Sequence, residues 1–156
     1  MTSNFRKRYL NYAELTATLE SWASAYPDIT RLQSIGKTAE GRELWLLIIG
    51  SQPDETRPAV WVDGNMHAAE LCGSSVALAI AEDIINLHTS DSAPQSMSAP
   101  VCEALRDVHF YILPRVSPDG AEVMLGEGRF VRSKLRDDRP DESRSFWRNE
   151  DIDGDG

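Results

Sequence analysis

The sequence predicts an α/β fold with a mixed, largely parallel sheet and helices on both of its faces. Two strand-like segments are joined by a glycine-bounded connector, which is typical of an antiparallel hairpin. A strand, a long apolar helix and another strand then follow in order, which indicates a right-handed parallel crossover. Residues 44–49 are apolar on both faces of their strand, and this favours a sheet that is covered on both sides.

The individual elements are predicted from the spacing of apolar residues and from the residues that interrupt them. We expect helices over residues 9–26, 71–87 and 101–106, and strands over residues 30–35, 43–49, 59–62 and 108–113. Pro27 ends the first helix. The second helix is apolar around much of its circumference, so it should pack firmly against the sheet. Its expected core stripe consists of Val76, Ala79, Ile80, Ile84 and Leu87, widened by Leu78, Ala81 and Ile85.

Composition and charge exclude some classes of protein. Of the 156 residues, 41% are hydrophobic and 26% are charged, which is ordinary for a globular domain. The net charge of -9 argues against a protein that binds nucleic acid or a membrane surface through charge. No apolar run approaches the roughly 18 residues of a membrane span.

Cysteine usage and the N-terminus bear on the compartment. Cys72 and Cys102 are too few for a disulfide framework, and we expect two reduced, buried thiols. The basic residues 1–8 are not followed by the apolar region of a secretory signal. These features favour a cytoplasmic location.

The last part of the chain differs in composition from the rest. Residues 129–156 are dense in Arg, Asp and Glu and contain few apolar side chains beyond Phe130, Phe146 and Trp147. Such a segment buries little surface by itself, so we predict a long charged loop laid over a site. Because this loop ends without a closing strand or helix, we interpret residues 1–156 as a single, partial domain that is truncated at its end.

A histidine and a glutamate follow the strand at residues 59–62. His67 and Glu70 stand three residues apart, just after a Gly64-Asn65 turn. Open α/β sheets place ligands at the carboxyl ends of their strands, and zinc accepts both imidazole nitrogen and carboxylate oxygen. The pattern therefore indicates a zinc site. The alternative is a histidine at a helix N-terminus beside a solvated carboxylate.

Four motifs, in order and at matching spacing, resemble the zinc metallocarboxypeptidases of the carboxypeptidase A/B group. They are Ile35-Gly36 with Glu40-Gly41-Arg42, the segment Gly64-Asn65-Met66-His67-Ala68-Ala69-Glu70, the turn Pro114-Arg115-Val116-Ser117-Pro118-Asp119-Gly120, and Arg129-Phe130-Val131-Arg132. The resemblance spans roughly residues 9–132 and corresponds to the N-terminal half of the family's catalytic domain.

This resemblance implies a zinc-dependent peptidase that hydrolyses C-terminal peptide bonds, with a peptide as its substrate. It implies that His67 and Glu70 bind the zinc and that Arg132 stabilises the oxyanion of the tetrahedral intermediate. A fixed guanidinium aimed at developing negative charge contributes a few kcal/mol to such a reaction. Arg129 has a weaker case, as a structural neighbour.

The sequence also departs from the family pattern. Ser117 replaces the usual asparagine, and Ala69 stands where digestive members often carry an arginine. The family's second histidine ligand, general-base glutamate and carboxylate-binding residues would all lie beyond Gly156. His88, at the far end of a long helix, and His109, read as a half-buried residue in mid-strand, are poor substitutes. We therefore expect weak zinc binding and no peptidase activity from this chain alone.

Two other functions stay open at this stage. A related zinc deacylase that cleaves acyl-amino acids also uses His-x-x-Glu, although the Glu-Gly-Arg and Ser-Pro-Asp-Gly motifs fit the peptidases better. A calcium-stabilised binding module without catalysis is the second. Asp151, Asp153 and Asp155 match the first half of a calcium loop, but a solvated acidic turn is the favoured interpretation of these residues. Substrate side-chain preference and oligomeric state cannot be predicted from these residues.

Overall fold

The computed structural model describes residues 4–90 and 97–133. After a 3-10 turn at Asn4–Arg6, the elements in chain order are α1 (Tyr12–Ala25), β1 (Thr30–Lys37), β2 (Glu43–Ile49), β3 (Ala59–Asp63), α2 (Cys72–Thr89), α3 (Ala99–Arg106), β4 (His109–Leu113) and α4 (Pro118–Glu127). Every predicted helix and strand is present, with ends displaced by no more than three residues. Residues 134–156, which hold most of the predicted charged loop and all three of its calcium-loop aspartates, lie outside the described residues.

The four described strands form a mixed sheet in the order β1-β2-β4-β3. The predicted hairpin is confirmed by the antiparallel pairing of β1 with β2, and the predicted crossover by the parallel pairing of β3 with β4. Because β2 pairs antiparallel with β4, two of the three described pairings are antiparallel. The α/β class is confirmed, but the parallel majority is not found in this part of the chain, which contains a single strand-helix-strand unit.

Both faces of β2 are buried, as its sequence predicts. Leu47 and Ile49 join Phe110 and Ile112 in the main core, on the face against which α1, α2 and α3 pack. Leu46 and Ile48 lie on the opposite face, in a second cluster with Leu113. Helices α1, α2 and α3 all pack on the face of the main core. None of these three helices therefore forms the layer that was expected over the face of Leu46 and Ile48.

The core face of α2 differs from the predicted stripe. Val76 is 57% exposed, whereas the buried apolar side chains are Ala77, Leu78, Ala81, Ile84, Ile85 and Leu87. The helix is apolar on most sides, so periodicity alone does not select the buried face. The polar side of α2 is held by ion pairs, since Arg6 bonds to Glu82 and to Asp83, both at 2.8 Å.

Two further features differ from the sequence-based expectations. Helix α4 was not predicted, although Pro118 is a favoured first residue and Gly128, at φ +66°, is a typical left-handed C-cap. Of the two free thiols, Cys102 is buried as expected, but Cys72 is exposed. Among the described residues, none of the helices has the length and hydropathy needed to cross a bilayer.

Candidate metal centre

The site is built where β3 and β4 end side by side. Beyond the strands, the pairing continues through backbone hydrogen bonds from Gly64 N to Leu113 O and from Val116 N to Gly64 O, both 3.0 Å long. Ser117 N donates to Asn65 O at 3.1 Å. Backbone hydrogen bonds therefore join the first two residues of the loop after β3 to the end of β4 and to the loop that follows it.

Two glycines allow this loop to pack directly on the start of α2. A Cβ added at Gly64 would lie 2.4 Å from Gly73 O, and one added at Gly73 would lie 2.6 Å from Asn65 N. Neither position has room for a side chain. The two glycines therefore let the backbone of the loop approach the start of α2 closely.

Asn65 shapes the loop between these glycines. Its φ of +55° is left-handed, a conformation that asparagine tolerates better than most residues. Its buried side chain donates from Nδ2 to His67 O and to Ala68 O, both at 3.0 Å. The side chain thus closes the loop on itself and fixes the backbone on which His67 is mounted.

His67 and Glu70 meet on one side of this loop. Glu70 N donates to His67 O at 2.9 Å, and His67 Nδ1 lies 2.9 Å from Glu70 Oε1. Their side chains are 34% and 60% exposed, so both are open to solvent. Two tetrahedral zinc ligands at normal bond lengths stand about 3.3 Å apart. The pair fits a shared zinc after a shift of a few tenths of an ångström.

Arg132 also reaches this place. Its carbonyl accepts a 2.7 Å hydrogen bond from Ala68 N, and its Nη2 lies 3.0 Å from His67 Nε2. The three residues predicted for the site are thus brought together. Arg129 is not part of the group, because it pairs instead with Glu127 at 3.1 Å on the exposed end of α4.

The contact between Arg132 and His67 determines the imidazole tautomer. A guanidinium can only donate, so His67 Nε2 must accept, and Nδ1 carries the proton that is donated to Glu70. A metal on Nδ1 requires the single proton of the neutral imidazole to move to Nε2, where it would face another donor. The observed contact and metal binding through Nδ1 therefore exclude each other, and Arg132 must turn away when a metal binds.

Ser117 supports the loop from the opposite side. Its hydroxyl donates to Met66 O at 2.7 Å, so the serine that replaces the family's usual asparagine bonds to the loop that carries His67. This connection was not predicted from the sequence, which indicated only a local turn around Ser117.

The other two histidines lie elsewhere. His109 is the first residue of β4, is fully buried and uses Nε2 for a 2.9 Å hydrogen bond to Ser51 O, so its description as half-buried in mid-strand was wrong. His88 lies in the last turn of α2. Burial lowers the pKa of His88, as do the nearby Arg106 and His109. Within the described residues, no group of three or more His, Cys, Asp and Glu side chains could hold a metal ion.

Sequence reasoning missed one buried charge near the site. Arg115, just beyond β4, donates to Ser74 Oγ at 3.1 Å and to Leu10 O at 2.8 Å. Burial lowers its pKa, and Glu122, 3.6 Å away, raises it. Arg115 thereby ties the first turn of α2 to the segment before α1. Its position between an apolar strand and a turn was the only sequence signal that could have indicated a buried arginine.

The fold and the site define a class: an open-sheet α/β protein with a histidine-glutamate pair at the carboxyl end of a strand. Comparison with known protein families gives a match to zinc carboxypeptidase over residues 15–153. The chain belongs to the zinc carboxypeptidase family.

Individual relatives agree with this assignment. The chain is 30% identical over 124 residues to carboxypeptidase B of Astacus astacus, covering 80% of this chain and 37% of the relative. It is 34% identical over 125 residues to a zinc carboxypeptidase of Saccharothrix mutabilis subsp. capreolus, covering 78% and 27%. The chain therefore spans well under half the length of these relatives.

Solved structures support the fold. Bovine thrombin-activatable fibrinolysis inhibitor, in complex with a tick carboxypeptidase inhibitor, superposes with a TM-score of 0.69 at 21% identity, covering 88% of this chain and 40% of that one. Carboxypeptidase A from Helicoverpa armigera gives 0.68 at 21% identity, covering 85% and 31%. At these identities the likeness establishes the fold alone.

Proposed function

We propose that this chain is the N-terminal part of a zinc-dependent metallocarboxypeptidase that hydrolyses C-terminal peptide bonds. The observation that carries the proposal is the meeting of His67, Glu70 and Arg132 at the carboxyl end of β3. Membership of the zinc carboxypeptidase family supports the metal and the reaction class. The peptide substrate follows from the names of the relatives.

In this proposal, His67 Nδ1 and one carboxylate oxygen of Glu70 are the zinc ligands. The bound zinc would polarise the scissile carbonyl and lower the pKa of its water. Asn65 holds the loop so that the imidazole and the carboxylate stay on the same side. Its two hydrogen bonds to the loop carbonyls leave little freedom in the backbone between the ligands.

Arg132 would serve as the oxyanion donor. Its backbone is fixed to the ligand loop by the Ala68 N to Arg132 O hydrogen bond, so the guanidinium stays near the reacting carbonyl after it leaves His67 Nε2. A guanidinium released from one neutral acceptor is free to donate to the negative charge that develops on the carbonyl oxygen.

The two ligands are one fewer than a catalytic zinc normally takes from the protein. From the family resemblance we infer that the second histidine, the general-base glutamate and the carboxylate-binding residues lie after residue 156. We therefore expect this chain alone to bind zinc with a dissociation constant above about 1 μM and to show no peptidase activity. Chelator-sensitive hydrolysis of a C-terminal reporter peptide by this chain would contradict that expectation.

The reading frame that follows the codon for Gly156 tests the proposal. It should encode the histidine, an Asn-Arg pair and a late glutamate, and its product should hydrolyse C-terminal peptide bonds. In that product Arg132→Met should lower kcat by about a hundredfold, whereas Arg129→Met should have a much smaller effect. A product that prefers acyl-amino acids to peptides would contradict the proposal and favour a deacylase.

A further inference from the structure

Three groups of the β1-β2 hairpin converge on one carboxylate of α4. Asp119 Oδ1 accepts from Arg42 Nη1 at 2.7 Å and from Thr38 Oγ1 at 2.9 Å, and Asp119 Oδ2 accepts from Glu40 N at 3.3 Å. Both oxygens of Asp119 are thus used, and its side chain is only 12% exposed. The hairpin turn and the first turn of α4 are joined through this one side chain.

The hairpin turn is organised before it meets Asp119. Thr38 N donates to Arg42 O at 2.9 Å, Gly41 N donates to Thr38 O at 3.0 Å, and Arg42 N donates to Thr38 Oγ1 at 3.1 Å. These bonds close residues 38–42 into a turn. Because the turn is held by its own hydrogen bonds, it does not need to be ordered by the contact with α4.

The residue after Asp119 is the one that touches the site. A Cβ at Gly120 would lie 2.4 Å from Ala68 Cβ, 3.0 Å from Val131 Cγ1 and 3.0 Å from Ser133 O. The first turn of α4 is therefore packed between the loop that carries His67 and the segment that carries Arg132. The two segments are also joined directly by the 2.7 Å hydrogen bond from Ala68 N to Arg132 O, so a displacement of this turn would disturb the packing around that bond.

From this geometry we propose that the Arg42–Asp119 pair positions Arg132 against His67. The hairpin holds Asp119, Asp119 holds the first turn of α4, and Gly120 in that turn packs between the two segments. Arg42 and Asp119 are positioning residues, since neither contacts His67 or Glu70 in the hydrogen bonds of the described residues. The catalytic consequence rests on the proposed function, but the alignment of Arg132 with His67 does not.

The imidazole nitrogens of His67 provide a direct readout. In the metal-free chain at pH 8, long-range ¹H–¹⁵N NMR should show His67 with its proton on Nδ1 and an accepting Nε2. Arg132→Met defines the signals of the imidazole without the guanidinium. Arg42→Met and Asp119→Asn should each move the His67 nitrogen shifts most of the way toward those of Arg132→Met. Arg42→Lys, which keeps the charge and a donor, should restore much of the wild-type signal.

A matched control exists in the same hairpin. Arg31 on β1 pairs with Asp54, both side chains are largely exposed (44% and 71%), and the pair does not reach α4. Arg31→Met should therefore leave the His67 shifts unchanged. Equal shifts in Arg31→Met and Arg42→Met, or wild-type shifts in folded Arg42→Met and Asp119→Asn, would overturn the proposal.

A milder variant covers the case in which the charge variants do not fold. Thr38→Val is nearly isosteric and removes one of the three donors to Asp119 together with the acceptor of the Arg42 N hydrogen bond. Because the Arg42–Asp119 pair is kept, the variant should shift His67 in the same direction by a smaller amount. A folded Thr38→Val with unchanged His67 shifts would then overturn the proposal. Failure of the wild-type chain to bind zinc would count against the proposed function and would leave these metal-free measurements unaffected.

Discussion

Arg132 and His67 are 65 residues apart in the chain, yet Arg132 Nη2 lies 3.0 Å from His67 Nε2. The same imidazole directs Nδ1 at Glu70 Oε1, 2.9 Å away. His67 is therefore the point at which the metal-ligand loop and the segment after α4 meet. Since a metal on Nδ1 requires the guanidinium to leave Nε2, the Arg132–His67 contact of the metal-free chain competes with metal binding.

This competition predicts that Arg132→Met strengthens zinc binding. The variant removes a cation next to the ligand and a hydrogen bond that favours the wrong imidazole tautomer. Loss of one charge-assisted bond corresponds to an increase in zinc affinity of about tenfold. Isothermal titration calorimetry with zinc at pH 7.5 measures this change in affinity. Arg129→Met is the control, because Arg129 pairs with Glu127 and not with His67. Weaker zinc binding by Arg132→Met would contradict the competition.

The two helical glycines of α4 should respond oppositely to alanine. Gly120→Ala places a Cβ 2.4 Å from Ala68 Cβ, so overpacking should lower the free energy of unfolding by about 1–3 kcal/mol. A Cβ at Gly126 meets nothing within 4 Å, so Gly126→Ala should raise it by about 0.5–1 kcal/mol through helix propensity. Urea unfolding measures both. A Gly120→Ala variant as stable as wild type would show that α4 is not packed against the ligand loop.

Asn65 offers a test of the loop that carries His67. Asn65→Ala loses the two hydrogen bonds to His67 O and Ala68 O. It also forces alanine into a left-handed backbone conformation that alanine disfavours. We expect a loss of about 2–3 kcal/mol in the free energy of unfolding. Asn65→Gly accepts the backbone conformation and should cost about 1 kcal/mol less. If the alanine and glycine variants were equally stable, the left-handed backbone at position 65 would add no free-energy cost for alanine, which would contradict this expectation.

The stability of the chain should fall as the pH is lowered through the range in which histidine titrates. Burial lowers the pKa of His88, so the unfolded chain takes up a proton below about pH 6.5 before the folded chain does. Stability is therefore complete above that pH and declines below it. His88→Gln removes this contribution, and its urea midpoint should fall less than that of the wild type between pH 8 and pH 5.5. Identical pH dependence would contradict a half-buried, neutral His88.

The elements of this fold could be predicted from sequence because their signals are local. The strand β2 was located to the residue, since six consecutive apolar residues are followed by Gly50. Helix α4 was missed because Gly120 and Gly126 lower its helix propensity, and its position depends on packing at Gly120 and on the bonds to Asp119. The exposed side of α2 at Val76 was assigned wrongly, because a helix that is apolar on most sides gives periodicity little contrast.

The site was only partly accessible from sequence. His67 and Glu70 are close in the chain, and their spacing indicates a shared ligand. The contact with Arg132 spans 65 residues and that between Thr38 and Asp119 spans 81. No local pattern encodes either contact, and Arg132 was named only through the family resemblance. The structure gives a physical reason for the shared occurrence of the Glu-Gly-Arg and Pro-Asp-Gly motifs, because Arg42 and Asp119 are bonded to each other.

The central claim is that His67 and Glu70 form a zinc-binding pair, and a zinc titration followed by imidazole NMR tests it most directly. The other two histidines of the chain, His88 and His109, serve as internal controls, since they lie away from the site. Zinc should shift the Nδ1 signal of His67 selectively and move its proton to Nε2, and Glu70→Gln should weaken this response. A response at His88 or His109 with His67 unchanged, or a His67 response that Glu70→Gln does not alter, would contradict the account.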